Sequence, residues 1–151
     1  MTEPIEIYPM AMFPALSVAD IDASVAWYSE KMGFATVFSL PGPGGGTAMA
    51  HLRWRKYADL LLVPDAGPTQ GGQTKGAGVV LSFLADTKPI DDLATEVAGR
   101  GVEIAEGPVS RPWNVRDFAV LDPDGYRLVF FTPVDTARDF EDVMKDVLEG
   151  G

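Results

Sequence analysis

Apolar residues recur along this chain in two rhythms, and the switches between them outline two successive copies of one unit. Met12–Val18 reads as a strand. Ile21, Val25, Tyr28 and Met32 follow at helical spacing and predict a helix with one apolar face. Asp20 stands at its N-cap, Asp22 adds negative charge to its first turn, and Gly33 ends it in a left-handed conformation. Phe34–Leu40 is a second strand and 41–46, rich in Gly and Pro, a flexible loop. Thr47–Arg55 and Ala58–Pro64 are two more strands, and His51, Arg53 and Arg55 alternate with Leu52 and Trp54 as a half-exposed strand requires. Residues 1–11, interrupted by Pro4 and Pro9, read as a loose lead-in.

Residues 65–76 are Gly-, Pro- and Gln-rich and read as a linker. The pattern then repeats. Ala77–Ala85 is a strand, and a helix runs from about Pro89 to Ala98 with Ile90, Leu93 and Val97 inward. Strands follow at Val102–Ala105, Asn114–Leu121 and Tyr126–Thr132. Asp122-Pro123-Asp124-Gly125 is a hairpin turn, in which Pro presets φ and Gly accepts a positive one. A last amphipathic helix, about Thr136–Leu148, places Phe140, Val143, Met144 and Val147 on one side. Leu16 to Ala19 matches Ser82 to Ala85 at an offset of 66, Gly33 matches Gly101 at 68, and Leu62 to Pro64 matches Phe131 to Pro133 at 69. The expectation is one α+β domain over 1–151. It contains two βαβββ units, 12–64 and 77–133, joined by the linker and followed by a helix over 134–151. The curved mixed sheets of the two units would enclose a cleft.

Leu16-Ser17-Val18-Ala19-Asp20, Ala26-Trp27-Tyr28 and Met32-Gly33-Phe34 form one signature. Trp113-Asn114-Val115-Arg116-Asp117-Phe118-Ala119-Val120 with Leu121-Asp122-Pro123-Asp124-Gly125 forms a second. With these motifs the chain resembles the vicinal oxygen chelate superfamily of glyoxalase I, extradiol dioxygenases and bleomycin-resistance proteins, and is most similar to the last group. Metal-using members of that superfamily carry ligands on the strands lining the cleft. Transferred by local motif, those positions fall at Phe13, Val79 and Val129 and near Leu60. Phenyl and alkyl groups offer a metal no lone pair, so the resemblance with these residues implies a protein without metal or other cofactor. His51 is the only histidine; Asp59, Asp117 and Glu106 could assemble around it, which leaves an atypical metal site as an alternative.

Composition narrows the function classes. The chain has 151 residues, 46% of them hydrophobic, and no cysteine, which excludes disulfides, thiolate catalysis and Cys-ligated metal. No apolar run approaches the roughly 20 residues of a membrane helix, and the first residues lack signal-peptide features, so a cytoplasmic location is expected. A net charge of −10 repels nucleic acid and anionic membranes and favours a cationic ligand. No G-x-S-x-G elbow or phosphate loop is present, and no catalytic residue stands out.

The expected function is therefore binding of a planar or cationic natural product, such as an antibiotic, by apolar walls and aromatic stacking. Phe13, Val79 and Val129 would line the site. Phe38, Trp54, Trp113 and Phe118 would border it as aromatics, with Trp113 on a mobile, polar-flanked strand entry. His51 would be a polar lining group, and Asp117 with Glu106 would attract a basic ligand. The resemblance also implies a homodimer. Alternatives are a metal-dependent lyase, dioxygenase or isomerase, a metal-free enzyme, and a partner-binding module using the last helix.

Overall fold

A computed structural model describes residues 5–65 and 75–150 and shows two compact units, Met1–Gln73 and Thr74–Gly151. Each is a four-stranded mixed sheet with a helix on one face. In the first unit the elements are β1 (Ala15–Val18), α1 (Ile21–Ala26), β2 (Ala35–Pro41), β3 (Thr47–Arg55) and β4 (Ala58–Pro64). Their order in the sheet is β1-β4-β3-β2, with β1 parallel to β4 and the other pairs antiparallel. In the second unit β5 (Val80–Leu84), α2 (Ile90–Gly99), β6 (Glu106–Arg111), β7 (Val115–Leu121) and β8 (Arg127–Pro133) repeat that plan in the order β5-β8-β7-β6. A final helix, α3, spans Phe140–Gly150.

Local chemistry explains most of these boundaries. Asp20 caps α1 as expected, its side chain accepting from Ala23 N at 3.0 Å. The helix does not stay regular: at Trp27–Lys31 it widens into a π-helical turn, which the apolar spacing gives no means of foreseeing. Asp122 closes the β7–β8 hairpin by accepting from both Asp124 N and Tyr126 N, and Gly125 adopts φ 95°. The expected strand at Val102–Ala105 is displaced to Glu106–Arg111. Gly107 and Pro108 hide that strand in the sequence. They are tolerated because β6 is an edge strand, where a missing N–H need not break a ladder bond. Among the described residues the lead-in has no regular structure before Ala15, yet residues 6–8 are held: Glu6 O accepts from Arg53 Nη1 at 2.6 Å, and Tyr8 Oη accepts from Tyr57 N at 2.7 Å. Of the expected linker, 66–74 lie outside the described residues, as do 1–4 and 151.

Each unit has its own core. Leu16, Val18, Ala50, Leu52, Leu60 and Leu62 point to the helix-covered face of the first sheet, where Ile21, Tyr28 and Met32 meet them. In the second, Phe83, Phe130 and Phe118 stack in series at 5.1 and 5.5 Å between ring centroids, under Ile90, Ala94 and Val97 of α2. Phe118 is thus a core residue, not an aromatic bordering a binding site as expected, because alternation along β7 turns it toward α2. On α3 only Val143 is buried, and Phe140 stands exposed.

The registers also correct the repeat alignment. Leu16 pairs Leu62, and Leu62 pairs Ala50; Phe83 pairs Phe130, and Phe130 pairs Phe118. Leu16 therefore corresponds to Phe83, 67 positions on, and Leu62 to Phe130, 68 positions on. An offset of 66 would set buried Leu16 against exposed Ser82.

Gly107 tests how tightly β6 is seated. It has φ 81°, and a Cβ there would lie 2.5 Å from Asp117 O. Gly107→Ala is expected to cost at least about 1–3 kcal/mol and to loosen β6 from β7. Urea unfolding with amide exchange at Ala119 N would measure both, and wild-type values in the variant would refute the tight seating.

Candidate functional site

Alternation leaves each sheet a second face, turned away from its helix. In the first unit one row across that face is Ala15, Leu61, His51 and Phe38, each paired to the next across β1, β4, β3 and β2. Phe38 is 48% exposed beside the partly buried His51 ring. The next row holds Asp59 and Arg53, paired across β4 and β3. Phe13, two residues before Ala15, is 46% exposed; the bond from Leu61 N to Pro14 O carries the β1–β4 pairing up to its neighbour.

A β-bulge builds the polar centre of this face. Arg55 pairs Ala58 across the Lys56-Tyr57 turn, but the register then shifts, so Arg53 pairs Asp59 instead of Leu60. Asp59 thereby joins His51 and Arg53 on the face away from α1. Its carboxylate is almost fully buried and accepts three bonds: from Arg53 Nε at 2.8 Å, from Arg53 Nη2 at 2.9 Å and from His51 Nε2 at 2.7 Å. The Arg53 guanidinium also lies over the Tyr8 ring, 4.3 Å from its centroid. Burial alone pushes the Asp59 carboxyl up. The hydrogen bonds from Arg53 and His51, with the Arg53 charge, outweigh it and hold the group below the ordinary aspartate range. The hydrogen bond to Asp59 in turn raises Arg53.

The second unit carries different chemistry on the same frame. The row matching Ala15–Leu61–His51–Phe38 is Ser82, Val129, Ala119 and Glu106. Asp117 lies one row away and is bound by Arg111, through Nε at 3.2 Å and Nη2 at 3.1 Å. Arg111 also reaches Glu106 at 3.1 Å, and Arg127 pairs with the other Glu106 oxygen. The Arg111 hydrogen bond and charge hold the Glu106 carboxyl below its ordinary range. Asp117 and Glu106, expected as attractors for a basic ligand, are thus already matched by arginines.

The remaining candidates are scattered. Trp113 is 50% exposed at the tip of the β6–β7 turn. The turn is pinned rather than loose: Asn114 bonds Asp135 through Nδ2 at 2.8 Å and Oδ1 at 3.0 Å. Trp54 is half-buried and sits within the bulge. Val79 lies exposed just before β5, and Val80 rather than Val79 shares the pleat direction of Ser82. By register Val129 corresponds to Leu61, not Leu60, which is fully buried against the core.

At every position where the superfamily resemblance would place a metal ligand, the side chain is apolar whichever residue of each pair is taken: Phe13, Leu60 or Leu61, Val79 or Val80, and Val129. These residues do not fit a metal. Among the described residues no three His, Asp or Glu side chains gather as a metal-holding group; His51 groups with Asp59 inside the first unit, and Asp117 with Glu106 inside the second. Sequence reasoning missed Arg53 as the partner of Asp59, and the available signal, two strands joined by Lys56-Tyr57, misleads by one residue unless the bulge is known.

Two four-stranded mixed sheets, each with one covering helix, define an α+β protein of the glyoxalase/bleomycin-resistance fold. The family model of the Glyoxalase/Bleomycin resistance protein/Dioxygenase superfamily matches residues 11–130, and the chain belongs to that superfamily. A bleomycin resistance protein of Staphylococcus aureus is 28% identical over 131 residues, 80% of this chain and 95% of that protein. Virulence protein STM3117 of Salmonella typhimurium is 29% identical over 114 residues, 73% of this chain and 74% of the relative. Among solved structures, TnmS3, an antibiotic binding protein from Streptomyces sp. CB03234, superposes with a TM-score of 0.64 at 26% identity, covering 85% of this chain and 98% of its own. No helix among the described residues is long and apolar enough to cross a membrane.

The Asp59 cluster makes the stability of the first unit acid-sensitive. A depressed folded-state value means the carboxylate stabilises the fold above the unfolded aspartate value of about 3.9, and that stabilisation is lost as pH falls from there through the folded value. Asp59→Asn is expected to cost about 1.5–3 kcal/mol at neutral pH, with the difference shrinking as the medium is acidified past that range. Urea unfolding of both proteins across pH checks this; a pH-independent gap would show that the charge is not the cause.

Proposed function

We propose that the protein binds a small natural product, planar or cationic and of the antibiotic class, and sequesters it without a metal and without altering it. The observation that carries this reading is the row Phe38–His51–Leu61–Ala15, an exposed aromatic ring beside one polar group among apolar neighbours. Such a surface offers stacking and a single point of orientation. The named activities of two relatives support it. A protein matching 80% of the chain is a bleomycin resistance protein, and TnmS3 is an antibiotic binding protein. The apolar residues at the superfamily's metal positions support the metal-free part. The net charge of −10 would speed encounter with a cationic compound. Phe13 would add apolar wall, with Trp54 at its margin. The protein would act as a cytoplasmic homodimer, which light scattering in solution reads directly as twice the chain mass.

A second reading, an enzyme of the same superfamily, has one observation in its favour: an imidazole held 2.7 Å from a buried carboxylate is also how a general base is oriented. Elemental analysis of unchelated protein tests its metal-dependent form, and mass spectrometry of incubated ligands tests turnover of any kind.

Calorimetry against basic and planar antibiotics, bleomycin among them, should find a ligand bound well below millimolar and recovered unchanged. Phe38→Ala should weaken that ligand by up to about tenfold, the worth of one good aromatic contact. Absence of any sub-millimolar ligand across the panel would sink the proposal.

A further inference from the structure

We infer that Asp59 holds the proton of the neutral His51 ring on Nε2, which leaves Nδ1 as a hydrogen-bond acceptor, and that this acceptor selects ligands carrying an N–H or O–H donor beside a flat apolar group. The inference rests on the reading of this face as the ligand site and adds the chemistry by which it discriminates.

The tautomer follows from the partners. An ionised carboxylate can only accept hydrogen bonds. Asp59 Oδ2 is 2.7 Å from His51 Nε2, while both carboxylate oxygens also receive Arg53. The proton between His51 and Asp59 therefore sits on Nε2. A neutral imidazole has one N–H, so Nδ1 keeps its lone pair. Among the described residues nothing hydrogen-bonds to Nδ1, and no buried side-chain nitrogen or oxygen lacks a partner. Nδ1 is accordingly open to a ligand or to water.

The surroundings restrict what that ligand can be. Phe38 on β2 and Leu61 on β4 flank His51 in the same row, so the acceptor stands between an exposed ring and an aliphatic group. The charged groups beside the ring are Asp59 and Arg53. Arg53 is spent on Asp59, Glu6 O and the Tyr8 ring, so it does not compete as an anion site. The equivalent place in the second unit is Ala119, so this acceptor belongs to the first unit alone. A phenol, amide, ammonium or amidinium attached to a planar ring satisfies both features; a quaternary ammonium satisfies only one.

The test uses the whole 151-residue chain at mildly alkaline pH, where benzylammonium keeps its proton. Imidazole 15N spectra should show Nε2 protonated and Nδ1 bare; a protonated Nδ1 overturns the inference. In Asp59→Ala, which removes the acceptor facing Nε2, the imidazole should no longer hold one tautomer, and the proton should divide between Nε2 and Nδ1. Titration with benzylammonium and benzyltrimethylammonium, equal in charge and ring, should favour benzylammonium by roughly five- to tenfold, with the larger shift at Nδ1. The preference should vanish in His51→Leu, or in His51→Phe should the first variant fail to fold. Equal binding of both probes overturns the acceptor while leaving the aromatic site standing. Failure of either probe to perturb Phe38 or His51 overturns the site itself, and the acceptor with it.

Discussion

The period of two along each strand is the constraint on which everything else here depends. Leu16, Ala50, Leu52, Leu60 and Leu62 must all reach the helix-covered face of the first sheet for that unit to have a core, and a slip of one residue would carry any of them to the other side. Once they are buried, the positions between them have no choice. Ala15, His51, Arg53, Asp59 and Leu61 become the helix-free face because their neighbours are core. The helix-free face is in this sense the complement of the hydrophobic one, and the energy that fixes it is the burial of leucines on the opposite side of the sheet.

The bulge between Arg53 and Arg55 converts that constraint into a site. Without it Arg53 would pair Leu60, and Asp59 would turn toward α1 as a buried charge with no partner, which is costly. With it, one carboxylate is wrapped by a guanidinium on two edges and an imidazole on a third. The lost hydration of Asp59 is repaid by three directed hydrogen bonds, and the same bonds fix the orientation and proton of His51. The second unit follows the same strand order without a bulge in its β7–β8 pair, with Ala119 where His51 stands and Glu106 where Phe38 stands, and it collects arginines on its carboxylates instead. One backbone plan thus carries two distinct surfaces, which is why fold alone does not state function.

The fold was largely legible in the sequence, because it is written in local signals. The bounds of β3 and β4, the Asp20 cap and the Asp-Pro-Asp-Gly turn each follow from two to nine neighbouring residues. What escaped depends on pairing between distant residues. Glu106–Arg111 is a strand only because β7 offers it an edge; by itself Glu-Gly-Pro reads as a break. Phe118 looks like a pocket aromatic until register shows it stacked on Phe130. Leu60 and Leu61 differ as sites only through the bulge, and no composition or spacing rule reveals a bulge between Trp54 and its neighbours. The His51–Asp59–Arg53 cluster was hidden for the same reason.

Charge acts at two ranges in this protein, and the structure separates them. The net charge of −10 is a property of the whole surface and biases which molecules arrive. Within the helix-free faces these carboxylates already have partners: Asp59 is paired with Arg53 and His51, Asp117 with Arg111, and the exposed Glu106 with Arg111 and Arg127. Under the proposed function, a cation drawn in by the field therefore meets carboxylates already paired at these rows, and in the first unit an aromatic face at Phe38 beside the His51 imidazole. Direct ion pairing with a bare carboxylate would hold nearly any cation and discriminate poorly. A ring and one directional lone pair reward shape and donor placement, so long-range attraction governs encounter while short-range geometry governs selection.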